Sequence, residues 1–235
     1  MNPMLFIFAF FVYSFVVYLL KRRLYPFGRE VEPLPSTPWR TGQEHALILS
    51  PDYWWALRFK YRLADSVPLD QRDELLKAYV VANNRFNVIF SISLTALSLA
   101  AMQLGPSSSA FACLSAVAVI RFFSRSYEIA YAFGCDVLQK QPSSTGLTKQ
   151  ERVRLALLSY FEIYVYSAAA YTILPTVTGV QDVLTLALNV GTLTNIGYAF
   201  LKPDTPFVVN LVFVQVIATL SLVVLSLAAY LSRDE

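Results

Sequence analysis

Five apolar stretches along the chain predict membrane-spanning helices, because a helix of about 20 apolar residues crosses the hydrocarbon core of a bilayer. A sixth apolar stretch, residues 183–194, is too short to span and predicts a re-entrant or interfacial half-helix. The fold class that we expect is therefore an all-α membrane protein with about five transmembrane helices and one re-entrant half-helix. The five long stretches are residues 4–20, 86–103, 110–123, 155–174 and 207–231.

Basic residues fix the expected orientation of these helices. Lys21, Arg22 and Arg23 directly follow the first apolar stretch, whereas a cleavable signal peptide carries its basic residues before that stretch. We therefore expect an uncleaved anchor with its N-terminus outside the cell. Nearly all other Lys and Arg residues then fall on the cytoplasmic side, as the positive-inside rule requires, and the C-terminus is cytoplasmic too. Lys202 is the exception.

The polar stretches between the apolar ones divide the chain into four segments. Residues 1–23 form the N-terminal anchor and residues 24–84 a cytoplasmic or interfacial segment. Residues 85–140 form a helical hairpin with a cytoplasmic extension, and residues 148–235 hold the last two spans with the half-helix between them. The sequence Thr148-Lys-Gln-Glu151 is a capping box that predicts the start of the fourth span.

An aromatic and basic stretch, residues 51–64, lies in the second segment and allows two interpretations. In the first, an interfacial helix contacts anionic lipid and places Trp54 and Trp55 in the headgroup layer. In the second, the helix packs on the cytoplasmic face of the protein itself. The sequence does not decide between them.

Composition agrees with a membrane protein and argues against catalysis. The chain is 56% hydrophobic and 15% charged, whereas soluble domains carry about a quarter charged residues. His45 has no ligand-forming neighbours, and the spacing of Cys113 and Cys135 fits neither a zinc site nor a disulfide framework. Nucleophile motifs and glycine-rich phosphate loops are missing from the sequence. We expect no enzyme activity, cofactor, metal site or nucleic-acid partner.

Four charged residues in or beside the predicted spans are candidates for ion pairing. Arg121, Arg125 and Glu128 can share one face of a helix that continues out of the third span, and Arg125 can pair with Glu128. We expect Arg121 to extend towards the inner headgroups. Glu162 lies inside the fourth span, where a charge is costly, so we expect Arg121 or Arg125 to pair with it. Pairing of this kind is structural, or else it serves gating or proton sensing.

Residues 191–200 read GTLTNIGYAF and lie between the short apolar stretch and the last span. This stretch resembles the filter TLTTVGYGD of the potassium-channel-like pore-domain superfamily, in which an outer helix, a pore half-helix, the filter, a proline and an inner helix follow in order. Ile196 stands for the valine of that motif, and Gln215 lies where the inner helix often has a polar residue. The matching residues are Thr192, Leu193, Thr194, Gly197, Tyr198 and Pro203.

The resemblance implies a homotetramer in a bacterial plasma membrane that conducts potassium or another monovalent cation. Filter carbonyls replace the hydration shell of the ion in such pores. Asn195, Ala199 and Phe200 depart from the motif, and an Ala with positive φ costs on the order of 1 kcal/mol. The alternative is a non-conducting membrane scaffold with the same architecture. The candidate filter residues are Thr194, Asn195, Ile196, Gly197, Tyr198 and Ala199.

Overall fold

Seven α-helices follow one another in the computed structural model, and no strand occurs among the residues that it describes. The described residues are 3–24, 48–66, 68–105, 108–138, 146–174, 177–194 and 206–223. The expected all-helical fold class is therefore confirmed for this part of the chain. The helices are α1 (Pro3–Leu24), α2 (Pro51–Ser66), α3 (Leu69–Met102), α4 (Ser109–Leu138), α5 (Lys149–Tyr171), α6 (Val180–Gly191) and α7 (Pro206–Leu220).

Among the described residues, four helices are long and apolar enough to cross a membrane, and they fit a membrane protein: α1, α3, α4, and α7 with the residues that continue it to Val223. Helix α5, which covers most of the predicted fourth span, is not among them, because Glu162 and several tyrosines make it more polar. Twelve of its 23 residues are buried in the protein, against four of 22 in α1. Helix α5 is therefore a central helix and α1 a peripheral one.

Helix α5 lies at the centre because three small residues let its neighbours approach closely. Ala168, Ala169 and Ala170 are fully buried, and α5 packs against α3, α4, α6 and α7. Helix α4 contacts α1, α3 and α7 as well, so it joins the peripheral helices to the last two. The largest apolar cluster forms where α4, α5, α6 and α7 meet.

The start of α5 is the predicted capping box. Thr148 Oγ1 accepts a hydrogen bond from Glu151 N at 3.3 Å, and the Glu151 carboxylate accepts one from Thr148 N at 2.9 Å. The Glu151 carboxylate also forms an ion pair of 2.7 Å with Lys77 of α3. These contacts lower the pKa of Glu151, mainly through its hydrogen bond with Lys77. This prediction from the sequence is confirmed.

Helix α2 packs on the protein, and its apolar face contacts α1, α3 and α4. Trp54 is 6% exposed, and the Arg58 guanidinium lies 4.8 Å from its ring centroid. Trp55 Nε1 donates to Ser14 Oγ of α1 at 3.2 Å, and Leu63 is fully buried. Trp54 is therefore covered by the protein itself, and its contacts support the second interpretation of residues 51–64.

Candidate functional site: a buried charge network beside a short helix

Arg121 lies in α4 and joins that helix to four others through a fully buried guanidinium. Its Nη1 donates to Asp52 Oδ1 of α2 at 2.5 Å and to the Tyr13 hydroxyl of α1 at 3.3 Å. Its Nη2 donates to Ser91 Oγ of α3 at 3.1 Å and to Glu162 Oε1 of α5 at 2.8 Å. One cationic side chain thus contacts five helices, its own included.

The expectation that Arg121 extends to the headgroups is wrong. Its side chain turns into the protein because two carboxylates, Asp52 and Glu162, face it there. Removing an ion from water costs several kcal/mol, and close opposite charges with good hydrogen bonds offset that cost.

Glu162 is paired with both arginines that the sequence offered as partners. Its Oε2 accepts from Arg125 Nη2 at 2.7 Å, and its Oε1 accepts from Arg125 Nε at 2.8 Å, which is a bidentate arrangement. Arg125 Nη1 also lies 2.6 Å from Glu128 Oε2. The structure therefore brings the four charged candidates, Arg121, Arg125, Glu128 and Glu162, into one buried network.

The network is larger than the sequence indicated, because Asp52 and Lys21 belong to it. Burial alone would raise the pKa of Asp52, but the charges of Arg121 and Lys21 and the hydrogen bonds from Ser124 and Tyr13 together hold it below its usual value. The Lys21 ammonium, 1% exposed, donates to Asn83 and also to Asn87 at 3.2 Å. Three cations then face three anions, so the formal charges balance. The cations are Lys21, Arg121 and Arg125, and the anions are Asp52, Glu128 and Glu162.

A polar stripe on α3 is the sequence signal that could have located this network. Its members recur at steps of three or four residues, so they lie on one face of the helix, and every one of them is buried. A span that faced lipid on all sides would not carry such a stripe. The members are Asn84, Asn87, Ser91, Thr95 and Ser98.

Short helix α6 is the second feature of the site, and it runs back along α5. It begins a few residues after α5 ends, yet the Tyr160 hydroxyl, near the middle of α5, donates to Gly191 O at the end of α6 at 3.2 Å. Eleven steps of 1.5 Å along the helix lead from Val180 to Gly191, a length of about 16 Å. The predicted bounds 183–194 thus lie three residues late at each end.

One amide side chain joins α6 to α5 and α7. Gln215 of α7 is fully buried, and its Nε2 donates to Ala187 O of α6 at 3.0 Å. Its Oε1 accepts a hydrogen bond from the Tyr171 hydroxyl of α5. A Cβ on Gly191 would lie 3.1 Å from Gln215 Nε2, so the small residue lets the amide approach.

The C-terminal end of α6 adopts a Schellman motif with an unusual residue at its turn. Leu193 N donates to Val190 O at 3.2 Å, and Thr194 N donates to Asn189 O at 3.0 Å. Leu193 has φ of 58°, a conformation that favours glycine and costs a leucine about 1–2 kcal/mol. The motif ends α6 directly before the predicted filter.

Only the first of the filter candidates lies in the described part of the chain. The Thr194 hydroxyl lies 2.7 Å from that of Thr192, whose Oγ1 donates to Leu188 O at 2.8 Å. The other candidates, Asn195, Ile196, Gly197, Tyr198 and Ala199, lie outside the described residues.

Comparisons with known proteins found no matching family model, curated protein or solved structure. Within the described residues no group of three or more His, Cys, Asp and Glu side chains could hold a metal ion.

Proposed function

We propose that this chain is one subunit of a potassium-channel-like membrane protein that conducts a monovalent cation through a tetrameric pore. The observation that carries the proposal is α6, a helix of 12 residues that is too short to span and packs between α5 and α7. Its C-terminal end, where the helix dipole is negative, directly precedes TLTNIGYAF. A short helix whose C-terminal end points towards the filter is the arrangement that a cation pore uses.

In this proposal α5 is a fifth membrane-crossing helix and α6 is re-entrant, with the N-terminus outside a bacterial plasma membrane and the C-terminus in the cytoplasm. The neutral balance of the network supports it, since Glu162 would otherwise make α5 costly inside a bilayer. Arg58, Lys60 and Arg62 of α2 are partly exposed, and we assign to them the contact with anionic lipid.

Arg121 and Arg125 give the network its role in this architecture. Arg121 connects α5, the outer helix of the proposed pore, to α1, α2 and α3 through Tyr13, Asp52 and Ser91, and Arg125 adds a second link from Glu162 to α4. The peripheral helices thus hold the outer helix in place, which is a structural rather than a gating role.

Cation flux into liposomes that contain the purified full chain tests the proposal. We expect potassium-driven flux and a tetramer after chemical cross-linking, and we expect Tyr198→Ala to change the flux. Phe11→Ala is the matched control, because Phe11 lies on the exposed face of α1. A stable monomer in the membrane would refute the pore, since one subunit supplies a quarter of the filter.

The second candidate function is a non-conducting scaffold of the same architecture. Asn195, Ala199 and Phe200 favour it, because each replaces a residue of the filter motif. A cross-linked tetramer without flux of potassium, sodium or caesium would support this candidate over the first.

A further inference from the structure

The C-terminal half of α6 is held from two sides by side chains of its neighbouring helices. From α5, the Tyr160 hydroxyl donates to Gly191 O at 3.2 Å. Gly191 is the last residue of α6, where a carbonyl has no donor within the helix, so the tyrosine supplies one. From α7, the fully buried Gln215 donates through Nε2 to Ala187 O, one turn earlier, at 3.0 Å. The two contacts together fix how far α6 extends along α5 and α7.

The orientation of the Gln215 amide follows from its two partners. A carbonyl oxygen only accepts hydrogen bonds, so the amide NH₂ group must face Ala187 O. The amide oxygen then faces the Tyr171 hydroxyl, which donates to it. Both ends of the amide are thus engaged, so it cannot turn over or shift without breaking a buried hydrogen bond, which is costly.

The position of α6 is passed on to Thr194, the first of the filter candidates, through backbone hydrogen bonds. Thr194 N donates to Asn189 O at 3.0 Å, and Leu193 N donates to Val190 O at 3.2 Å. These bonds tie residues 192–194 to the end of α6. A displacement of α6 along α5 and α7 therefore displaces Thr194 as well.

Gly191 leaves the space that the Gln215 amide needs. A Cβ at position 191 would lie 3.1 Å from Gln215 Nε2, which is closer than ordinary van der Waals contact. Since the amide is bonded to Tyr171 as well as to Ala187, it would have to give way and lengthen its bond to α6. Gly191→Ala therefore weakens this bond without changing Gln215 itself. Alanine is also the better helix former, so helix propensity cannot account for a loss.

We propose that Gln215 and Tyr160 are positioning residues for Thr194 and thereby set the preference of the pore for one monovalent cation over another. The inference rests on the proposed function, because it needs a conducting tetramer. Oxygen atoms of a filter replace the hydration shell of the ion, so their placement bears on which ion is accepted. A displacement of Thr194 would be repeated in each of the four subunits.

The permeability ratio of potassium to sodium, measured from the reversal potential of the full chain in planar bilayers, tests this inference. We expect Gln215→Leu and Tyr160→Phe each to change the wild-type ratio by about two- to tenfold, the factor that corresponds to one net hydrogen bond. A loss of stability alone would lower the number of active channels and leave the ratio unchanged.

Thr219→Val is the matched control. Thr219 is also a buried polar residue of α7, one turn from Gln215, and its Oγ1 has no hydrogen-bond partner in the described part of the chain. We therefore expect Thr219→Val to keep the wild-type ratio.

Gly191→Ala combined with Gln215→Ala tests whether the two residues act through one contact. We expect Gly191→Ala alone to change the ratio, and to change it no further when residue 215 is already alanine, because the added Cβ then meets no amide. A tetramer without any flux would refute the proposed pore and this inference with it. A wild type that conducts but does not distinguish the two ions would overturn this inference alone, as would ratios in Gln215→Leu and Gly191→Ala equal to that of Thr219→Val.

Discussion

Arg121→Met tests whether the buried network holds the peripheral helices to α5. The change leaves Asp52 without its ion pair, buried and 1% exposed at its side chain. Glu162 still keeps Arg125, so the cost falls mainly on Asp52. Removing one partner of a buried pair typically costs about 3–5 kcal/mol, and we expect a loss of that size in the free energy of unfolding.

The assay is equilibrium unfolding of the full chain in detergent, followed by tryptophan fluorescence. Trp54 and Trp55 both lie in α2, close to Asp52, so release of this helix should shift their emission to the red. Arg121→Met with Asp52→Asn removes both charges, and we expect this double variant to recover part of the lost stability, with a coupling of about 0.5–3 kcal/mol.

Lys77→Met is the matched control, because it too breaks a salt bridge between two helices, in this case between Lys77 of α3 and Glu151 of α5. The ion pair of Lys77 with Glu151 has side chains about a third exposed, and solvent screens such a pair, so its loss should cost little stability. If Arg121→Met were no more destabilising than Lys77→Met, the network would not be the support that we infer. Failure of Asp52→Asn to recover any stability would also contradict the reasoning.

Three further predictions concern the ends and contacts of α5 and α6, each measured by thermal or chemical unfolding in detergent. Thr148→Ala should cost about 1 kcal/mol by removing the cap of α5, whereas Thr148→Ser should be nearly neutral. Gln215→Leu should cost about 1–3 kcal/mol, because it leaves the buried Tyr171 hydroxyl without its acceptor. Hydrogen bonds from Thr178 lower the pKa of Asp182, so its contribution to stability is present above its unfolded pKa of about 3.9 and is lost as the pH falls through the lower folded value. Asp182→Asn should remove that part of the acid dependence.

Local patterns allowed parts of the fold to be predicted. The capping box of Thr148 and Glu151 is a contact between residues three apart, so the sequence contains both partners. The short apolar stretch before the filter motif predicted the bounds of α6 to within three residues. The pairing of Glu162 with an arginine followed from the cost of a lone charge in a span, which leaves few choices of partner.

Contacts between distant segments were not predictable in the same way. Asp52 and Tyr13 are 39 residues apart, and nothing in the aromatic stretch around Asp52 indicates that it turns into the protein. The positive-inside rule places Lys21 among the cytoplasmic basic residues, yet it is 1% exposed and binds asparagines of α3. Hydropathy describes how apolar a helix is and does not say which neighbours cover its polar side.

Other helices of the same subunit cover one side of α5. Only the remaining surface is therefore available to neighbouring subunits in the proposed tetramer. Helices α3 and α4 pack against α5, and α4 also contacts α7, so this side of α5, α6 and α7 is already occupied. Leu188 of α6 and Phe213 and Ile217 of α7 are about half exposed. In the proposed tetramer we expect these side chains to face the axis or the adjacent subunits, because α3 and α4 already cover the other side of the last three helices. The network around Arg121 would in that case sit outside the ring of pore helices, where it braces each subunit separately.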